Sequence, residues 1–247
     1  MSINGPEELQ HLRKAGQIVR RVLEAMREQV RPGVTTLQLD QAGARLIEEE
    51  GARSAPALVY QFPGANCISV NEEAVHGIPR NRVLEDGDLV KLDVTIEKDG
   101  YMADAAVTVP VGTVEEESLR LAACAERAFQ KAMLVARAGF RVMEIGRVVE
   151  REVRRDGFSV IRQLGGHGIG RTIHEEPRIP NYADPEAKQI LREGMVITVE
   201  PIIAAGRGAA VLEEDGWTLR TADRRRSAHY EHTLVITKGA PILLTAA

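Results

Sequence analysis

Apolar residues recur at steps of three and four in the first part of the chain, a spacing that predicts amphipathic helices. The first helix covers about residues 7–30 and is ended by Arg31-Pro32-Gly33. Thr35 or Thr36 caps a second helix, which ends near Gly51. The chain therefore opens with two helices joined by a short break that contains a proline.

After these helices the pattern changes to the short apolar runs that are typical of strands. Residues 89–97 form one run and residues 101–109 another, and Lys98-Asp99-Gly100 between them indicates a hairpin turn. The preceding stretch, 56–79, is rich in proline and irregular, and it contains aromatic residues, asparagines and a histidine. That composition indicates the wall of a pocket rather than a linker.

The second half of the chain repeats this order of elements. Its break Arg137-Ala138-Gly139 corresponds to Arg31-Pro32-Gly33, and Asp156-Gly157 corresponds to Glu50-Gly51 at the same offset. The predicted elements of this half are helices at 116–136 and 142–156, a glycine-rich stretch at 165–170, and strands at 195–203 and 230–237.

We interpret the repetition as an ancient internal duplication, of about 7–112 and 115–240, within one domain that spans 1–247. The predicted fold class is α/β in the broad sense (α+β). Two helix–helix–β-hairpin halves are related by a pseudo-twofold axis around a central antiparallel sheet. The length of the chain suits one domain of this kind.

Composition and charge narrow the class of protein. With 44% hydrophobic residues and a formal net charge of −4, the chain can form a sizeable core and has no general affinity for nucleic acid. No apolar run reaches the roughly 18 residues that span a membrane. The polar start is not that of a signal peptide. Two cysteines without a disulfide pattern fit a reducing compartment, so we expect a cytoplasmic protein.

Four carboxylates interrupt strands that are otherwise suited to burial. In the duplication Asp93 falls opposite Glu200, and Asp104 falls opposite Glu231 on the return strands. Carboxylates gathered in a core would repel one another and take up protons unless a cation balanced them. His167, which stands between glycines, adds an imidazole, and no thiolate is nearby. This mixture of nitrogen and oxygen donors predicts a site for two divalent ions rather than a structural zinc site.

Several motifs together resemble one family, the methionine aminopeptidases. The resemblance covers nearly the whole chain and is nearest to the short bacterial form of the type I enzymes, whose fold is the pita-bread fold. The motifs that carry it are Lys91-Leu92-Asp93-Val94, Tyr101-Met102-Ala103-Asp104, Gly166-His167-Gly168-Ile169-Gly170, His174-Glu175-Glu176-Pro177, Val199-Glu200-Pro201 and Tyr230-Glu231-His232-Thr233.

The resemblance implies a role for each metal ligand. Asp93 would bind one ion, His167 and Glu200 would bind the other, and Asp104 and Glu231 would bridge both. The ions would be Co, Mn, Fe or Zn, which this donor set does not distinguish.

The resemblance also implies catalytic and substrate-binding residues. Glu200 would move the proton from the attacking water to the leaving amine. His174 would stabilise the developing oxyanion, and His76 would hydrogen-bond near the scissile amide. Both histidines would thereby bind substrate. The methionine pocket would be lined by Tyr60, Phe62, Cys67 and Trp217, although Val59 and Ile173 stand where the family often has aromatic residues.

Partners follow from the same resemblance. The expected reaction is removal of the initiator methionine from nascent polypeptides whose second residue is small, by a monomeric enzyme that contacts the ribosome transiently. Arg224-Arg225-Arg226 is either that contact surface or a solvated loop. A monovalent cation near Asn71 and Ser227 is a further expectation from the family.

Two alternative hypotheses about function remain open from the residues. A related pita-bread peptidase would cleave Xaa-Pro bonds, but such enzymes usually carry an additional N-terminal domain. A non-catalytic pita-bread module would bind peptides or proteins, but modules of that kind typically lose metal ligands, and all five are present here.

Overall fold

The structure is a computed structural model, and it describes residues 1–246. Both predicted helical pairs are present, and a short fifth helix precedes the first long strands. The helices are α1 (Pro6–Glu28), α2 (Thr36–Glu49), α3 (Ala55–Tyr60), α4 (Glu116–Ala132) and α5 (Val142–Arg155).

The strands of this part of the chain are mostly short, apart from one long hairpin. They are β1 (Arg53–Ser54), β2 (Cys67–Val70), β3 (Glu73–Val75), β4 (Leu89–Lys98), β5 (Tyr101–Pro110), β6 (Ser159–Val160), β7 (Gly165–Gly168), β8 (Glu175–Pro180), β9 (Val196–Val199), β10 (Ile202–Ala204), β11 (Ala210–Leu212), β12 (Leu219–Thr221), β13 (Ser227–His229), β14 (Glu231–Val235) and β15 (Ile242–Leu243).

Local chemistry explains where the first elements begin and end. Thr35 caps α2, because its side chain accepts a hydrogen bond from the backbone N–H of Gln38 and its own N–H donates to the Gln38 side chain. Asp99 and Gly100 both have positive φ, at 52° and 84°. That pair of left-handed residues matches the twist of a tight hairpin and sets the register of β4 on β5, with Lys98 opposite Tyr101.

Four antiparallel strands form the middle of the main sheet, in the order β4-β5-β14-β9. The two return strands meet at the centre, where Glu231 pairs with Ala106 and His232 pairs with Ala105. The order is symmetric about that contact, as the proposed pseudo-twofold relation between halves requires. The mixed helix-and-sheet fold class is confirmed, and the duplication itself stays a prediction.

The helices cover one face of this sheet, and the alternation of side chains sends the carboxylates to the other. On β4, Val90, Leu92 and Val94 pack with α1 and α2 in one apolar core. Ile197 and Val199 of β9 pack with α4 and α5 in another core. Asp93, which alternates with the apolar residues of β4, therefore lies on the face opposite the helices.

Three sequence expectations about elements are wrong. The stretch at 56–79 is not irregular throughout, since it contains most of α3 together with β2 and β3. The expected strand at 195–203 is two strands, because the chain leaves the main sheet at Glu200-Pro201 and continues as β10 in a separate sheet with β6 and β13. Helix α4 ends at Ala132 rather than near 136. The glycine-rich stretch, for which no element was predicted, contains β7.

None of the helices within residues 1–246 combines the length and the apolarity that are needed to cross a membrane.

Candidate metal centre and adjoining pocket

The five predicted metal ligands line one cavity of about 200 Å³ on the face of the main sheet opposite the helices. One ligand atom each of Asp104, His167 and Glu231 lie within 4.8 Å of one another. A second group of this kind shares Glu231 and includes Glu200. Asp93, from the neighbouring strand, lines the same cavity. The structure thus brings together all five residues that the sequence singled out.

Glycines allow β7 to carry His167 into the cavity. This strand lies between β8 and β9. A Cβ atom at Gly166 would collide with the backbone carbonyl of Thr198, and one at Gly168 would collide with that of Glu176. Only glycine on either side of His167 permits the three backbones to approach so closely.

The ring of His167 is held ready to bind a cation. Its Nδ1 lies 2.8 Å from the carbonyl oxygen of Gly168, so Nδ1 donates and Nε2 keeps its lone pair. Burial lowers the pKa of His167 to about 3, which leaves the ring neutral at pH 7. The Nε2 atom lies 3.5 Å from Oε1 of Glu200. A neutral imidazole whose free nitrogen faces a carboxylate is suited to metal binding.

Thr198 fixes the position of Glu200 relative to the histidine. Its hydroxyl donates to Glu200 Oε1 at 3.1 Å and accepts from the backbone N–H of His167 at 3.1 Å. The side-chain amide of Asn181 donates to the backbone carbonyl of Glu200 at 2.8 Å. Glu200 is therefore held at its side chain and at its backbone.

The residues at the centre fit divalent cations. Burial raises the pKa of Asp93, Asp104, Glu200 and Glu231, and mutual repulsion among the carboxylates raises the pKa values of Asp93, Glu200 and Glu231 further. Within residues 1–246, neither Oδ1 of Asp104 nor Oε1 of Glu231 has a hydrogen-bond partner, although both atoms are buried. Divalent cations would supply both the missing partners and the missing positive charge.

His229 belongs to this site, and the sequence analysis left it out. The residue is buried, and its Nε2 lies 3.1 Å from Glu231 Oε2 and 3.8 Å from Glu200 Oε2. Burial lowers its pKa to about 3. The sequence offered a partial signal, because His229 stands two residues before Glu231 and such residues share a face only where the chain continues as one extended strand. His232 instead faces the helices, where its ring meets Phe129.

The two predicted catalytic histidines, His174 and His76, line the same cavity as the carboxylates. His174 packs edge-on against the ring of His167, with centroids 4.2 Å apart, and its Nδ1 lies 2.6 Å from the hydroxyl of Tyr60. His76 follows β3 with a φ of 57°, and the hydroxyl of Thr218 donates to its carbonyl at 3.4 Å. Burial lowers the pKa of His76 to about 4, so this ring is neutral at pH 7.

The predicted methionine pocket adjoins the carboxylates. Phe62 and Trp217 meet edge to face, with ring centroids 5.3 Å apart. Cys67 is buried and pairs with Asp93 across β2 and β4. Four predicted residues line the same cavity as the metal ligands: Tyr60, Phe62, Cys67 and Trp217. Of the two departures from the family, Ile173 lines the cavity, whereas Val59 is exposed.

Two further predictions from the sequence concern groups that already have partners within the chain. In the basic run, Arg225 pairs with the carboxylate of Glu117 at 2.9 Å and Arg226 contacts Ser118, so only part of this run projects freely. The carbonyl oxygens of Asn71 and Ser227, where a monovalent cation was expected, face the ammonium group of Lys91.

The pKa shifts predict how metal binding depends on pH. Each raised carboxyl pKa means that the metal-free fold loses stability as the pH rises through that folded-state value. A bound cation replaces these protons. Titratable groups outside the centre contribute equally to the stability of metal-loaded and chelated protein, so their contributions cancel when both are measured at one pH. We therefore expect the Tm difference between metal-loaded and chelated protein to grow between about pH 5 and 9. A difference that stays constant or shrinks in differential scanning fluorimetry would contradict these shifts.

A neutral histidine and four carboxylates without a neighbouring counter-charge, three of them buried, lie beside an apolar pocket, and this combination is typical of a metal-dependent hydrolase. Comparison with known proteins agrees. The sequence profile of metallopeptidase family M24 matches residues 10–238. Methionine aminopeptidase 2 of Bacillus subtilis (strain 168) is 44% identical over 247 residues, which cover 99% of both chains.

Solved structures agree as well. The methionine aminopeptidase of Thermotoga maritima superposes with a TM-score of 0.96 at 36% identity, and the match covers 100% of both chains. The prolidase of Pyrococcus furiosus gives a TM-score of 0.80 at 25% identity, and the match covers 99% of this chain but 65% of that one. The chain belongs to metallopeptidase family M24, among its methionine aminopeptidases. The resemblance and the pita-bread fold are confirmed.

Proposed function

We propose that this protein removes the N-terminal methionine from polypeptides whose second residue is small, as a dinuclear metalloexopeptidase. The observation that carries the proposal is that one cavity combines a cluster of carboxylates with an apolar pocket. Carboxylates without a neighbouring counter-charge line one part of the cavity, and Phe62, Cys67 and Trp217 line another part. A substrate with an apolar side chain and a free amino group would place both next to the scissile bond.

Two divalent cations would be held as the family resemblance implies, by Asp93, Asp104, His167, Glu200 and Glu231. When bound, such ions lower the pKa of a water molecule and polarise the scissile carbonyl. The metal identity, among Co, Mn, Fe and Zn, is set by availability as well as by the donors. His229 contacts Glu231 and Glu200, so it would orient both carboxylates.

Glu200 would move the proton in this reaction. Its carboxyl group lines the cavity beside the apolar pocket and lies 3.5 Å from Nε2 of His167, where it could accept a proton from the attacking water. The hydroxyl of Thr198 keeps Oε1 of Glu200 in place. After the carbonyl carbon has been attacked, Glu200 would return the proton to the leaving amine.

His174 and His76 would bind the reacting peptide bond. The hydroxyl of Tyr60, at 2.6 Å, engages Nδ1 of His174 and leaves the other ring nitrogen for the developing oxyanion. Desolvation lowers the pKa of both histidines, so each acts as a neutral donor rather than as a cation. Neutral rings also avoid repulsion with the cations expected beside them.

The natural substrates would be nascent chains, with transient contact to the ribosome. Of the predicted basic surface, Arg224 has the most freedom, because its nearest carboxylate oxygen, on Glu72, is 3.8 Å away. The protein would act as a monomer in the cytoplasm.

A panel of synthetic peptides tests the proposed specificity. With metal-loaded protein we expect kcat/KM for Met-Ala and Met-Gly peptides to exceed that for Met-Leu by about tenfold or more, because a larger second side chain would have to fit beside methionine in a cavity of about 200 Å³. Met-Val should fall between them, and an Ala-Pro peptide should not be cleaved. Preferential cleavage of Ala-Pro would identify an Xaa-Pro peptidase, and no cleavage of any peptide would identify a binding module. Either result would overturn the proposal.

A further inference from the structure

A buried lysine lies beside the centre and has no part in the proposed reaction. Lys91 is on β4, two residues before Asp93 and on the same face, and only 1% of it is exposed. Its Nζ donates to the backbone carbonyl of Asn71 at 2.6 Å and to that of Ser227 at 3.4 Å. Lysine is rarely buried without such partners, because the ammonium group loses its hydration.

The two carbonyls belong to segments that each lead to the site. Asn71 lies in the turn between β2 and β3, and β3 ends immediately before His76. Ser227 begins β13, which ends at His229, two residues before Glu231. Together with β4, which carries Asp93, three separate segments of the site therefore meet at the ammonium group of Lys91.

The turn at Asn71 is held in a shape that presents its carbonyl. Asn71 has a φ of 56°, and its side chain donates to Asp88 at 2.7 Å and accepts from the N–H of Leu89 at 2.9 Å. The hydroxyl of Ser227 also donates to the carbonyl of Asn71, at 3.1 Å. A carbonyl oxygen that accepts hydrogen bonds from several donors is well placed to bind a cation.

Two acidic residues, Glu72 and Glu73, directly follow Asn71, whose carbonyl accepts from Lys91. Glu73 is itself buried, and its carboxylate accepts from the N–H of Val70 at 2.7 Å. Its other oxygen accepts from Arg80 at 2.6 Å.

We propose that the ammonium group of Lys91 is a built-in cation that joins β4, the turn at Asn71 and β13, so that the site needs no bound monovalent cation. An ammonium group and a potassium ion carry the same charge, and carbonyl oxygens can serve as partners for both. Lys91 is thus a positioning residue, which acts on Asp93, His76 and Glu231 through the segments that carry them.

The test replaces Lys91 by alanine and supplies cations from solution. Peptide cleavage and Tm are measured in potassium, methylammonium and choline chloride at equal ionic strength. In choline we expect Lys91→Ala to lose about 10- to 100-fold in kcat/KM, the usual effect of removing groups that orient metal ligands. We expect its Tm to fall by roughly 10 °C. Potassium or methylammonium should recover a large part of both losses.

Two control variants separate the charge from other effects. Lys91→Met restores volume without charge, so potassium should not rescue it. Lys98→Ala removes a lysine at the far end of β4 that donates to the carbonyl of Gly51 at 2.7 Å, and it should resemble wild type in every salt. Wild type should not respond to the change of cation. Equal losses of Lys91→Ala in all salts, or a wild-type requirement for potassium, would overturn the proposal.

Wild-type crystals decide the question if Lys91→Ala does not fold in any salt. Crystals soaked in a thallium salt, with thallium as a heavy substitute for potassium, should show no anomalous peak at the carbonyls of Asn71 and Ser227. A peak there would overturn the proposal. The Tm and diffraction readouts do not depend on peptide cleavage, so they distinguish failure of this inference from failure of the proposed function.

Discussion

Replacement of Glu200 by glutamine should lower kcat for a methionyl peptide by roughly 10²- to 10⁴-fold, the usual contribution of a positioned acid–base group. Glutamine keeps the length of the side chain and an oxygen that can accept from Thr198, so the cavity should keep its shape. It cannot accept the proton of the attacking water. At saturating metal we therefore expect KM to change by less than about tenfold while kcat falls.

The measurement is steady-state kinetics on Met-Ala peptides over a range of metal concentrations, so that weaker metal binding is separated from slower chemistry. Glu186→Gln serves as the control, because the Glu186 carboxylate is largely exposed and forms a local ion pair with Lys188. If Glu200→Gln lost more than about tenfold in binding and little in rate, the proposed proton transfer would be wrong.

Chelation of wild type and replacement of His167 by alanine should each bring cleavage close to background. His167 contributes the neutral Nε2 that faces Glu200, and alanine removes it without adding charge. A metal ion contributes several kcal/mol to transition-state stabilisation, which corresponds to about three orders of magnitude in rate or more. Added divalent metal should restore the chelated wild type and should not restore His167→Ala.

His232→Ala is a matched control for this experiment. His232 follows Glu231 directly, but its ring nitrogens face Thr245 and Tyr230 on the side of the helices. We expect this variant to have a lower Tm and near-normal activity per folded molecule. Full activity of chelated wild type, or of His167→Ala, would refute the metal-dependent mechanism.

Elements with a strong periodic pattern could be predicted from the sequence, whereas elements that depend on distant backbone could not. The β4–β5 hairpin follows from two apolar runs around Asp99-Gly100. Strand β7 has no such pattern, since Gly165–Gly168 has low strand propensity and forms a strand only because β8 and β9 lie close on both sides. The division of 195–203 at Glu200-Pro201 likewise depends on the sheets on either side.

At the site, the metal ligands could be predicted from residue type, whereas the residues next to them were found only in the structure. Asp93 and Glu200 could be recognised because a carboxylate inside an apolar strand requires a counter-charge. His229 could not be assigned with the same force, since the chain changes sheets between β13 and β14 and the alternation is interrupted there. The position of Lys91 opposite the Asn71 carbonyl depends on a contact between distant segments, which no local pattern indicates.

We propose that five side chains hold two catalytic divalent cations. The most direct test is anomalous diffraction from crystals grown without added metal, followed by a soak with a single divalent metal. We expect two peaks, with Asp104 and Glu231 contributing to both, Asp93 to one, and His167 and Glu200 to the other. The absence of any peak among these side chains after the soak, or peaks only elsewhere on the surface, would contradict this account.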